Sequence, residues 1–63
     1  DLTEDEKKVV NALQSETPQL LDKLKDNVEL SNKKWDKSLK SLRKKEVIEV
    51  EKTDDGVFAS LND

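Results

Sequence analysis

Residues 31–61 read SNKKWDKSLKSLRKK, EVIEVEK, TDDG and VFASL, and this stretch decides the fold because its periodicity changes once, near residue 46. Up to Lys45 the apolar side chains Trp35, Leu39 and Leu42, with Ser38 beside them, recur every three or four positions. They therefore share one side of a helix that runs from Ser31 to about Lys45. Ser31 stands where a hydroxyl caps the free amides of a first turn. Beyond it, Val47, Ile48 and Val50 form a β-branched run broken by Glu49 and Glu51, the pattern of a half-buried strand. Thr53-Asp54-Asp55-Gly56 is a hairpin turn signal, and Val57–Leu61 is a second strand. A four-residue loop from Thr53 to Gly56 pairs Lys52 with Val57, Val50 with Ala59 and Ile48 with Leu61. A two-residue Asp55-Gly56 loop shifts the partners by two. Either register puts Ile48, Val50, Ala59 and Leu61 on the inner face and Phe58 on the outer face with Glu49 and Glu51.

Upstream, Thr3-Glu4-Asp5-Glu6 is a capping box, with three acids suited to the positive end of a helix dipole. Val9, Val10 and Leu13, with Ala12 beside them, then give a short amphipathic helix from Thr3 to about Ser15. Thr17-Pro18 predicts a helix restart, Thr as cap and Pro at the first helical position, followed by the stripe Leu20, Leu21, Leu24 and Val28. Residues 26–30 read as a turn or frayed end. The expected architecture is α+β: a single domain over residues 1–63, a three-helix bundle followed by a two-stranded β-hairpin. Asp1 rather than Met at the start is read as the mark of a domain excised from a larger chain.

Composition narrows the chemistry. With 63 residues the core is small, and with no Cys and no His there are no disulfides, thiol nucleophiles, imidazole bases or His- and Cys-ligated metals. No cofactor, metal or small-molecule substrate is expected. No apolar run approaches the roughly 18 residues of a membrane span, and no signal-peptide pattern stands at the start. Charged residues make up 43% of the chain, yet the net charge is only −3 and the apolar residues are patterned, so the chain is read as folded.

The charge is strongly segregated. Residues 1–17 carry net −3, 18–30 net −1, 31–45 net +6 and 46–63 net −5. Within the third helix Lys33, Lys37, Lys40 and Lys44 fall in an arc of roughly 60°, opposite Trp35, Leu39 and Leu42. Such a row can track phosphates while the other side packs. Ser31, Asn32 and Ser41 flank it as hydrogen-bonding groups. An exposed helix face is often charged for solvation alone. Against that reading, Lys33, Lys34 and Lys37 lie in the first half of the helix, where the dipole disfavours each cation by a few tenths of a kcal/mol.

The order helix, helix, Ser31-x-x-x-Trp35-x-x-x-Leu39-x-x-Leu42, then Lys44-Lys45-Glu46-Val47-Ile48-Glu49-Val50 and a Thr53–Gly56 turn resembles the winged helix-turn-helix superfamily over nearly the whole chain. The resemblance implies a third helix that enters the major groove and a wing that touches backbone or minor groove. It implies Ser31, Asn32, Lys33, Lys34, Lys37, Ser41 and Lys44 as the groove-facing set, with Lys40 in the same row and Lys52 on the wing. Three features depart from the family pattern. Glu46 stands where Gly is common, which predicts a less sharply turned helix end. The wing tip is Asp54-Asp55 rather than Lys or Arg, which a phosphate backbone repels. Trp35 replaces a smaller aliphatic residue and is read as a core anchor.

The first function expected is double-stranded DNA binding through the third helix, in transcription or replication and inside the cell. The alternative is a protein interaction module, with a protein partner or a homodimer contact through Phe58, Asp54, Asp55 and the acidic surface. Phe58 is otherwise a packing residue beneath Leu2 or the end of the third helix. An enzyme is not expected: the Asp54-Asp55 pair sits in a turn, where bonding to backbone amides explains it, and no nucleophile stands beside a base.

Overall fold

Thr3 opens the first helix by the expected exchange of bonds. The structure, a computed structural model, describes residues 2–62; Asp1 and Asp63, both counted in the charge balance, lie outside them. The Thr3 hydroxyl accepts from the Glu6 amide at 3.2 Å, and the Glu6 carboxylate accepts from the Thr3 amide at 2.9 Å. Helix α1 then runs over Glu4–Ser15 and buries Val9 and Leu13 completely.

The next segment departs from expectation. The Thr17–Pro18 peptide is cis, and the chain does not restart a helix there. Gln19–Leu20 instead form a short strand, β1. A proline ring fixes φ near −65°, which serves extended backbone as well as a helix start, so Pro18 alone does not choose between them. Gln19 supplies the choice. Its buried side-chain amide donates to the carbonyls of Glu16 at 3.1 Å and Ala12 at 3.4 Å, and its oxygen accepts from the Asn27 amide at 3.0 Å. These bonds satisfy carbonyls that the end of α1 leaves open. Leu20 therefore leaves the expected helical stripe and is 42% exposed.

Helix α2, Leu21–Val28, starts late and has no side-chain cap. It includes residues 26–28, where the sequence suggests a turn or frayed end; the turn comes at Glu29, in the left-handed region at φ 53°. Helix α3 spans Asn32–Lys44, with the Ser31 hydroxyl accepting from the Lys34 amide at 3.3 Å. Its end is sharp, contrary to the expectation drawn from Glu46. The Glu46 amide donates to Arg43 and the Val47 amide to Leu42, the paired bonds of a Schellman turn, with Glu46 itself at φ 62°. Those bonds outweigh the left-handed strain that glycine would have avoided.

Strands β2, Ile48–Thr53, and β3, Gly56–Leu61, form the hairpin, but the sheet has three strands rather than two, in the order β1-β3-β2. Ile48 pairs with Leu61, Val50 with Ala59 and Lys52 with Val57, the first of the two registers the sequence allows. On the other side of β3, Gln19 pairs with Ala59 and Leu20 with Phe58. The Thr53 hydroxyl accepts from the Asp55 amide and donates to the Gly56 carbonyl, both at 3.2 Å, closing the turn.

Between helices and sheet lie Val9, Leu13, Leu24, Val28, Trp35, Leu42, Ile48 and Ala59. Trp35 is 4% exposed, the core anchor that its position predicts. Each large side chain so buried contributes about 1.5–3 kcal/mol, which a domain of this size needs.

Candidate nucleic-acid interface

Burial of one side of α3 decides what its other side presents. Trp35, Ser38 and Leu42 are buried, Leu39 is half-buried, and Asn32, Lys33, Lys34, Lys37, Lys40, Arg43 and Lys44 are exposed. At 1.5 Å per residue, the row from Lys33 to Lys44 is about 16 Å long. Among the described residues the ion pairs are Lys23–Glu16 at 3.2 Å and Lys45–Glu6 at 3.1 Å. The row thus carries its positive charge with no described carboxylate within ion-pair distance. Lys34 and Lys37 also edge a groove of 240 Å³ against the start of α1, lined further by Thr3, Asp5, Glu6, Ser38 and Ser41.

The flanking polar groups are placed differently from the sequence reading. Ser31 is occupied as the α3 cap. Ser41 is half-buried and lines the groove against α1 together with Glu6. Lys52 is exposed on β2, opposite Val57. Asn32 remains an exposed amide at the head of the row.

Sequence reasoning had assigned Glu6 only to the capping box. Its side chain is 2% exposed and also pairs with the far end of α3. The Thr3 amide holds its pKa down, to about 2, against the opposing effect of burial, with help from the Lys45 ammonium and the Ser41 hydroxyl. Lys45 bonds both carboxylate oxygens, at 3.2 and 3.1 Å. No short-range signal marks this pair, since 39 positions separate its members.

At the other pole, Asp54 and Asp55 are exposed at the hairpin turn. Phe58 is half-buried on the central strand, with Leu20 and Glu51 beside it in register. Leu2, one of the two covers expected for it, packs against the main core. A groove of 410 Å³ beside this surface is lined by Leu20, Leu21, Asp22, Asp55, Gly56 and Val57. No helix is long and apolar enough to cross a membrane among the described residues.

Comparison with known proteins adds one likeness. Fifty residues of the chain are 44% identical to a segment of a lysine–tRNA ligase from Christiangramia forsetii. The segment covers 79% of this chain and 9% of that protein. No protein-family profile matches the chain, and no solved structure does.

Proposed function

We propose that the chain is a winged-helix domain that binds double-helical nucleic acid through the exposed basic side of α3, with β2 and β3 as its wing. The observation that carries this reading is the row Lys33, Lys37, Lys40 and Lys44, exposed along one side of a helix whose opposite side is locked into the core by Trp35 and Leu42. A rigid row of cations gains free energy by releasing the counterions condensed on a phosphate backbone. Duplex DNA and an RNA stem both offer that backbone. The likeness to a segment of a protein that, by its name, acts on tRNA keeps RNA beside DNA as the source of the phosphates. At 9% of the ligase's length, it carries no claim about the ligase's reaction.

A second reading is a protein contact through the acidic wing, favoured by the exposed Leu20 beside Phe58. Fluorescence anisotropy with a labelled DNA duplex and a labelled RNA stem, each at low and high salt, separates the two. The triple variant Lys33→Glu, Lys37→Glu, Lys40→Glu serves as the control. Salt-sensitive binding that the variant abolishes supports the α3 reading, and the tighter of the two probes identifies the source. Absence of binding to both probes at low salt overturns it and leaves the wing as the surface to pursue.

A further inference from the structure

We infer that α3 recognises phosphates and not base identity, so that the ligand class is double-helical nucleic acid irrespective of sequence. This rests on the α3 reading above and adds to it what the row is able to distinguish. Direct readout in a major groove uses planar forks: arginine on guanine, asparagine or glutamine on adenine. A lysine ammonium is a compact point charge without that geometry. The row is made of lysines alone. Arg43, the one guanidinium on α3, lies about 90° round the helix from it, and Asn32, its one amide, stands at the extreme end.

The hydroxyls do not fill the gap. Ser31 caps the helix, Ser38 is buried, and Ser41 is half-buried beside Glu6 of α1. Ser31 is engaged as the cap, and the other two lie on the side of α3 that packs against the rest of the fold.

Stacking is equally excluded from this surface. Trp35 lies in the core at 4% exposure, and Phe58 belongs to the outer face of the sheet, in register with Leu20 and Glu51. No aromatic ring stands along the lysine row to receive an unpaired base, the device on which single-strand binders depend. The exposed Asp54 and Asp55 also make the wing tip a poor backbone contact, which leaves Lys52 as the wing's one cation beside the α3 row. What remains is attraction to charge density, which is highest on a duplex.

The test uses the intact chain and fluorescein-labelled duplexes of equal length but different base composition, with a single strand of the same length. Affinities for the duplexes are expected to agree within about threefold, with the single strand weaker. The log–log salt slope is expected to be about −3 to −4, reduced by roughly one in Lys37→Gln. Asn32→Ala is expected to change affinity less than twofold for every duplex. A preference above about tenfold for one duplex, the signature of a bidentate base contact, overturns the inference while leaving the α3 reading intact. So does a single strand that binds more tightly than the duplexes. Absence of binding to every probe at low salt overturns both.

Discussion

The Lys45 ammonium lies 3.1 Å from the carboxylate of Glu6, 39 residues earlier, and so ties the last residue of the α3 turn to the first turn of α1. Glu6 is 1% exposed, while the Lys45 side chain keeps 40% of its surface. One carboxylate thus closes the α1 capping box and pairs with the C-cap residue of α3.

Acid should release this contact only well below the ordinary carboxylate range. Glu6 titrates near 2 in the fold against an ordinary value of 4.5, so its contribution is complete above about pH 4.5 and is lost as pH falls towards 2. Glu6→Gln keeps the shape but removes the charge, and is expected to cost about 1–3 kcal/mol at neutral pH. Thermal unfolding across pH 2–6 checks this: the gap between the native chain and Glu6→Gln should narrow as pH drops.

Glu46 sits at φ 62°, a conformation that costs an ordinary residue about 1–2 kcal/mol. Glu46→Gly removes that cost and adds some backbone entropy to the unfolded chain. The expected result is a net gain of about 0.5–1 kcal/mol, seen as a rise of roughly 3–6 °C in Tm. Glu46→Ala, equally strained, should show no such rise.

Gln19 is 2% exposed, and its amide serves the carbonyls of Ala12 and Glu16 as well as Asn27. Gln19→Leu fills the same space but leaves those groups without their partner, at a cost of about 2–4 kcal/mol. Chemical denaturation measures the loss. Gln19→Glu should also destabilise, because a carboxylate cannot donate to the two carbonyls.

How far the fold can be read from the sequence follows from which signals are local. The inner face of the hairpin is legible because Ile48, Val50, Ala59 and Leu61 share it in either register. Pairing by the Thr53–Gly56 turn then selects Ile48 with Leu61 and Val50 with Ala59, which the alternation alone does not decide. The lysine row is legible because helical spacing alone sets Lys33, Lys37, Lys40 and Lys44 opposite Trp35 and Leu42. Strand β1 is not legible: two residues, Gln19 and Leu20, have no period, and they pair with β3 some 40 positions away. The expected helix start at Thr17-Pro18 fails for the same reason, since the bonds that decide it come from the Gln19 side chain and from β3. Ser41 misleads similarly, because the surface it faces, around Glu6, belongs to another helix. At Glu46 the glycine rule names the right conformation but not its consequence, as the Schellman bonds form with glutamate in place.

The account stands or falls on where nucleic acid touches the chain. Amide chemical shifts of the isotope-labelled chain, followed during titration with a duplex at low salt and again at high salt, measure this directly. The expected shifts cluster on residues 32–44, strongest near Lys33, Lys37, Lys40 and Lys44, and fade as salt is raised. Shifts centred on Leu20, Phe58 and the Asp54–Asp55 turn, or none at low salt, would contradict the account.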